Sequence, residues 1–167
     1  MASTPPGRMT RVEIEQVLPA GDRLLLDTTT LIAYLNGGEL ISPLATHIID
    51  DLVRSGRNPA VVSPVTVMEV LVRPLRRGPD AVYQHVLDFL SNFPNLRSIA
   101  IDLHVAQEAA SLRATYNLHP PDALIIASGI VAQVGHLVTN DAAWQTKLRP
   151  ISGRIKVCCL GALLPRS

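Results

Sequence analysis

Two kinds of apolar run alternate along this chain. Short, dense runs occur at Arg23–Asp27, Ala60–Ser63, Leu96–Ile101, His136–Thr139 and Arg154–Cys159, and each reads as a strand. Between them, apolar residues recur every three or four positions, the period of a helix. Thr28–Asn36 reads as a helix stopped by Gly37-Gly38. Leu40–Ser55 carries Leu44, Ile48, Ile49, Leu52 and Val53 on one face and closes at Gly56. Pro64 suits a first helical turn and opens a helix running to Leu75. Asp80–Phe93, Leu103–Tyr116, an apolar helix from Pro120 to Val134, and a short helix over Asp141–Leu148 complete the set. Strand and helix alternate throughout, which predicts an α/β fold, a three-layer α/β/α sandwich around a mostly parallel central sheet.

The ends depart from this rhythm. Residues 1–21 read as a partly disordered N-terminal extension. Residues 1–10 are polar and proline-containing, and Val12, Ile14 and Val17 hint at one short extra strand. Residues 22–160 form the domain and 161–167 a tail. No internal repeat, low-complexity tract or interdomain linker divides the chain.

Composition sharpens this picture modestly. A chain of 167 residues suits one well-cored domain. Charged residues make up 17%, against the usual roughly 25%, which hints that a partner or second copy covers some apolar surface. A net charge of +1 offers no global basic field for nucleic acid. The cations are nearly all arginine, with Lys147 and Lys156 the only lysines, and Arg73, Arg76 and Arg77 cluster downstream of Glu69. Adjacent Cys158 and Cys159 are poorly placed for a disulfide, and a reducing compartment fits them best. Residues 1–21 contain no apolar leader segment. The longest apolar stretch, Ala123–Val134, falls short of the about 20 residues that span a bilayer. The expectation is a cytoplasmic protein with no membrane segment.

Four carboxylates interrupt the apolar pattern: Asp27 closing Leu24-Leu25-Leu26, Glu69 within Val65–Val72, Asp122 after Pro120-Pro121, and Asp141 after Leu137–Asn140. An acid in apolar surroundings is costly unless its charge is compensated. Asp27 and Asp141 fall at the carboxyl ends of strands, where open parallel sheets collect ligands. Glu69 and Asp122 lie on helices that could lean over the same edge. Converging carboxylates repel and resist ionisation, and a shared Mg²⁺ or Mn²⁺ removes that conflict. The absence of metal-spaced His or Cys points away from zinc. Each acid alone has a plainer reading. Asp27 and Asp141 could cap helices, Asp122 could complement a helix dipole, and Glu69 could face solvent.

The set Leu-Leu-Leu-Asp27-Thr-Thr-Thr-Leu-Ile, mid-helix Glu69, Pro-Asp122-Ala-Leu-Ile-Ile-Ala and Val-Thr139-Asn140-Asp141 resembles a PIN domain. The VapC-type toxins of bacterial toxin–antitoxin pairs are the nearest subgroup. The resemblance covers residues 22–160. It implies a compact α/β/α fold and a metal-dependent endoribonuclease that cuts single-stranded RNA. It also implies a homodimer and a cognate antitoxin. Asp27, Glu69, Asp122 and Asp141 match the family's acidic quartet, the implied metal and catalytic residues. Thr28 and Thr29 fall beside the first acid, and Thr139 and Asn140 precede the last. Thr28, Thr139 and Asn140 are implied as supports that hold carboxylates or waters. Trp144 stands where an aromatic often follows the final acid, Gln145–Leu148 is less typical, and the extension to Gly21 lies outside the pattern.

Two rivals remain at this stage. An Asp after an apolar strand also suits a phosphoaspartate phosphatase, but the second Asp such enzymes want is here Thr29, and lysine is scarce. A non-catalytic binding or assembly module would use the acids only as caps, and its low charge would reflect a partner interface.

Overall fold

The computed structural model describes residues 6–165. Its core is a five-stranded sheet of β1 (Leu24–Leu26), β2 (Ala60–Val62), β3 (Leu96–Ser98), β4 (His136–Thr139) and β5 (Lys156–Cys159). The spatial order is β3-β2-β1-β4-β5, and every pairing is parallel. Parallel neighbours need a crossover, and the helices supply it. They are α1 (Pro6–Val17), α2 (Thr28–Asn36), α3 (Ser42–Thr46), α4 (Pro64–Arg77), α5 (Asp80–Asn92), α6 (Leu103–Tyr116), α7 (Pro120–Val131) and α8 (Ala143–Lys147).

Alternate strand residues face opposite layers, so each short strand feeds two cores. Leu24, Leu26, Val62 and Val138 pack with residues of α1 to α5 and the turns that follow α1 and α3, including Leu18, Leu31, Ile48 and Phe89. Leu25, Val61 and Leu137 pack on the other face with Val105, Leu112, Ile126 and Trp144 of α6 to α8. Burial on both faces explains why the strands read as unbroken apolar runs. The expected three-layer sandwich is the observed one.

Most elements start where the pattern places them, and several end early. The strand from Leu96 stops at Ser98, the apolar helix at Val131, and the last strand starts at Lys156. Past α3 the helix widens to a π-helical turn over His47–Val53, with Arg54 N–H donating to the Ile49 carbonyl at 3.0 Å. α4 continues through Pro74 to Arg77. Gly129 lets α7 approach the sheet closely, since a Cβ there would lie 2.7 Å from Leu25 Cδ2. Both cysteines are buried and free, and burial pushes the Cys158 thiol up to about 12.

The extra strand hinted at by Val12, Ile14 and Val17 is instead part of α1. Ile14 and Leu18, four apart, are both fully buried, the spacing of a helix face docking on a core. The disorder expected of residues 1–10 falls partly on residues 1–5, outside the described residues, while α1 begins at Pro6. At the other end, Leu160 is buried, and Leu163 and Leu164 pack on the first core. Among the described residues, no helix is long and apolar enough to cross a membrane.

Candidate active site

The chain runs outward from β1 through β2 to β3, then crosses back to β4 and β5. The order therefore reverses between β1 and β4, and ligands of open α/β sheets bind in the crevice outside such a reversal. Asp27 follows β1 directly, and Asp141 follows β4 by two residues. Leu26 is in register with Val138, and Asp27 N–H donates to the Val138 carbonyl at 3.1 Å. Two of the four acids thus stand just past the carboxyl ends of adjacent strands at the switch point.

Asp27 is the most enclosed, at 5% exposure. It occupies the N-cap position of α2, yet its side chain makes no cap hydrogen bond. Its Oδ2 instead accepts from Thr139 Oγ1 at 2.8 Å and Thr29 Oγ1 at 3.3 Å. Hydrogen bonds from two hydroxyls fix the carboxylate's direction. The capping explanation for Asp27 therefore fails.

The Thr28-Thr29-Thr30 run sends three hydroxyls three ways, because successive helical residues turn by about 100°. Thr28 Oγ1 donates to Glu69 Oε2 in a short contact. Thr29 Oγ1 accepts from Asn140 N–H at 2.9 Å and lies 3.3 Å from Thr139 Oγ1. Thr30 Oγ1 donates to the Val138 carbonyl at 2.9 Å. The β1 and β4 carboxyl ends are thereby pinned together through α2. The resemblance implies supporting roles for Thr28, Thr139 and Asn140; Thr29, which it places beside the first acid without a role, also contacts Asp27. Asn140 acts here through its backbone N–H, and its side-chain Oδ1 lies beside Gly161.

The other acids are more open. Glu69 is exposed on α4, as its plainer reading allowed, but the Thr28 hydroxyl ties it to the residue next to Asp27. It shares a groove of about 340 Å³ with Ile32, Arg73 and Arg77, whereas Arg76 is not part of that lining. Asp141 is exposed, and its Oδ1 accepts from Ala143 N–H at 2.9 Å, a capping contact at the start of α8. Asp122 sits in the first turn of α7, and its Oδ2 accepts from Lys147 Nζ at 2.8 Å. Near the switch point, Ser63 caps α4, and its hydroxyl lies 3.3 Å from Ser128 Oγ on α7, joining the helices that carry Glu69 and Asp122.

Among the described residues, no three His, Cys, Asp or Glu side chains stand close enough together to hold one ion. The side chains as placed join Asp27 to Thr139, Glu69 to Thr28, Asp122 to Lys147 and Asp141 to its own helix. What they share is the sheet edge and donor chemistry: hard carboxylate oxygens flanked by hydroxyls, which suit Mg²⁺ or Mn²⁺ rather than a soft metal. Lys147, whose ammonium already sits on one of these carboxylates, was not singled out by the sequence. Its signal there was only the scarcity of lysine.

A family model described as PIN domain matches residues 24–147. No curated protein matches the chain. Among solved structures, the fold is similar to that of a toxin–antitoxin complex from Klebsiella pneumoniae, at 24% identity and a TM-score of 0.59, covering 82% of this chain and 97% of that one. It is also similar to a DNA-bound VapBC from Salmonella typhimurium, at 19% identity and a TM-score of 0.59, covering 83% and 98%. A third is VapC20 of Mycobacterium tuberculosis, described as a toxin that cleaves the sarcin–ricin loop, at 15% identity and a TM-score of 0.57, covering 80% and 98%. The family match begins at the first residue of β1, ends at the last of α8 and encloses all four acids. This chain belongs to the PIN domain family.

Proposed function

We propose that the protein is a metal-dependent endoribonuclease that hydrolyses phosphodiester bonds of single-stranded RNA, and that it serves as the toxin of a toxin–antitoxin pair. The observation that carries the reading is Asp27, a buried carboxylate held by Thr139 and Thr29 at the reversal of strand order. A group so enclosed and so firmly aimed has no capping job to explain it. Family membership supports nuclease chemistry, and the toxin–antitoxin complexes among the similar structures support the partner.

Asp27, Glu69, Asp122 and Asp141 are the residues that would hold Mg²⁺ or Mn²⁺. A bound divalent cation supplies the acidity that makes water a nucleophile near neutral pH and offsets charge on the scissile phosphate. The chain's own contribution is positional. Thr139 and Thr29 keep the Asp27 carboxylate from swinging away, and Thr28 keeps Glu69 leaning toward the same edge. Arg73 and Arg77, along the groove beside Glu69, supply positive charge for flanking phosphates. Met68, Leu75 and Val82 are exposed apolar residues of α4 and α5, consistent with cover from an antitoxin or a second subunit. The phosphatase alternative loses support, because Lys147 pairs with helix-borne Asp122 and not with strand-end Asp27.

Purified protein with Mn²⁺ is expected to cut single-stranded RNA internally. Asp27→Asn should lower the rate by about 100-fold or more with an unchanged circular dichroism spectrum. Mn²⁺ should also raise the melting temperature of the wild type but not of the variant, as specific binding to the folded state requires. A folded Asp27→Asn protein with full activity would overturn the assignment. A wild type with neither cleavage nor metal-linked stabilisation would favour a binding module.

A further inference from the structure

We propose that Lys147 is a built-in counter-ion of the site: its ammonium holds the Asp122 carboxylate until a divalent cation takes it, and the lysine then leaves the face of Trp144. The inference rests on the metal-site reading above and goes beyond it by naming what the metal must displace.

Three observations converge on one side chain. Lys147 Nζ lies 2.8 Å from Asp122 Oδ2. The same nitrogen lies 4.9 Å from the centre of the Trp144 ring, one helical turn earlier on α8. Asp122 and Lys147 both line an open cleft of about 560 Å³, together with His119, Tyr116 and Thr146, so neither side chain is sealed in its pairing. Lysine suits this role better than arginine. It is a compact charge on a flexible stem, whereas a guanidinium would lock a carboxylate in a two-pronged grip. The side chains are 35% and 21% exposed, so solvent screens the pair and leaves it exchangeable. A divalent cation bound by the same carboxylate repels the ammonium, so metal and lysine compete for it. Lys156, the only other lysine, is at the amino end of β5, away from this edge.

Trp144 is the only tryptophan in the chain and is buried, so its fluorescence reports on the lysine lying over it. Two titrations without RNA test the proposal, with Mn²⁺ by calorimetry and with Mg²⁺ by fluorescence. Lys147→Met is expected to bind Mn²⁺ about tenfold more tightly than wild type, because one opposing charge is gone. Lys147→Gln serves as the second neutral variant, and Lys147→Arg should bind no more tightly than wild type. Wild-type Trp144 emission should shift on Mg²⁺ addition. That shift should vanish in Lys147→Met, which has no ammonium to displace, and in Asp27→Asn, which binds no metal. If the wild type binds metal, Asp27→Asn does not, and both neutral variants bind no more tightly than wild type, the counter-ion role is refuted and the metal site stands. If the wild type binds no metal, the metal-site reading and this proposal fall together.

Discussion

At the scale of single residues, the site depends on hydroxyl groups as much as on carboxylates. Thr139 Oγ1 donates to Asp27 and accepts from Asp141 N–H at 3.0 Å, so one hydroxyl links the Asp27 carboxylate to the Asp141 backbone. Thr139→Val keeps the shape and removes both bonds. Hydrogen bonds to charged groups contribute about 1.5–3 kcal/mol, and urea denaturation of Thr139→Val should show a loss in that range. Stability equal to wild type would mean that Thr139 does not restrain Asp27. The acids themselves were legible in sequence because carboxylates inside apolar runs are conspicuous. The hydroxyl geometry was not, since three consecutive threonines look alike until helical rotation separates them.

At the scale of elements, α1 lies before the family match, which begins at Leu24. It is fastened by more than apolar contact. His47, nearly buried, lies 2.9 Å from Glu15 through Nε2 and 2.6 Å from Asp51 through Nδ1. Arg57 Nη1 donates to the Leu18 carbonyl at 2.9 Å, and fully buried Asn58 donates to the carbonyls of Pro19 and Asp22 at 2.7 and 2.9 Å. Leu18→Ala should therefore cost about 2–5 kcal/mol of global stability, read as a lower urea midpoint, because the cavity opens in the main core. A loss below about 1 kcal/mol would show that α1 is a loosely docked appendage. The strand reading of Val12, Ile14 and Val17 missed this helix because three apolar residues among polar ones fit either period, and tertiary burial decided between them.

For the whole molecule, the sheet order puts the site in the middle and a buried histidine at the other end of β4. His136 begins β4, where its Nδ1 lies 3.2 Å from Asp22 Oδ2. Burial lowers its pKa below the usual 6.5, with Asp22 opposing only part of that effect. Above 6.5 the ring is neutral folded and unfolded, so it adds no pH dependence there. As pH falls below 6.5, the unfolded chain takes up the proton first, and stability falls until the folded pKa is also passed. His136→Gln should remove that component, flattening the melting temperature between about pH 7.5 and pH 5 relative to wild type. Parallel slopes in the two proteins would show that His136 titrates alike in both states.

The alternation of strand-like and helical periods determined the α/β class, the parallel sheet and nearly every element, because periodicity is a local property of adjacent residues. It also exposed four acids, because a charge in an apolar run conflicts with its immediate neighbours. Strand order is not local. Only the folded chain decided that β1 and β4 are adjacent and that the order reverses between them, which sets Asp27 against Thr139. Only the folded chain placed Lys147 on Asp122, 25 residues away in sequence. Such pairings depend on which crossovers pack together, and no short-range pattern carries that information.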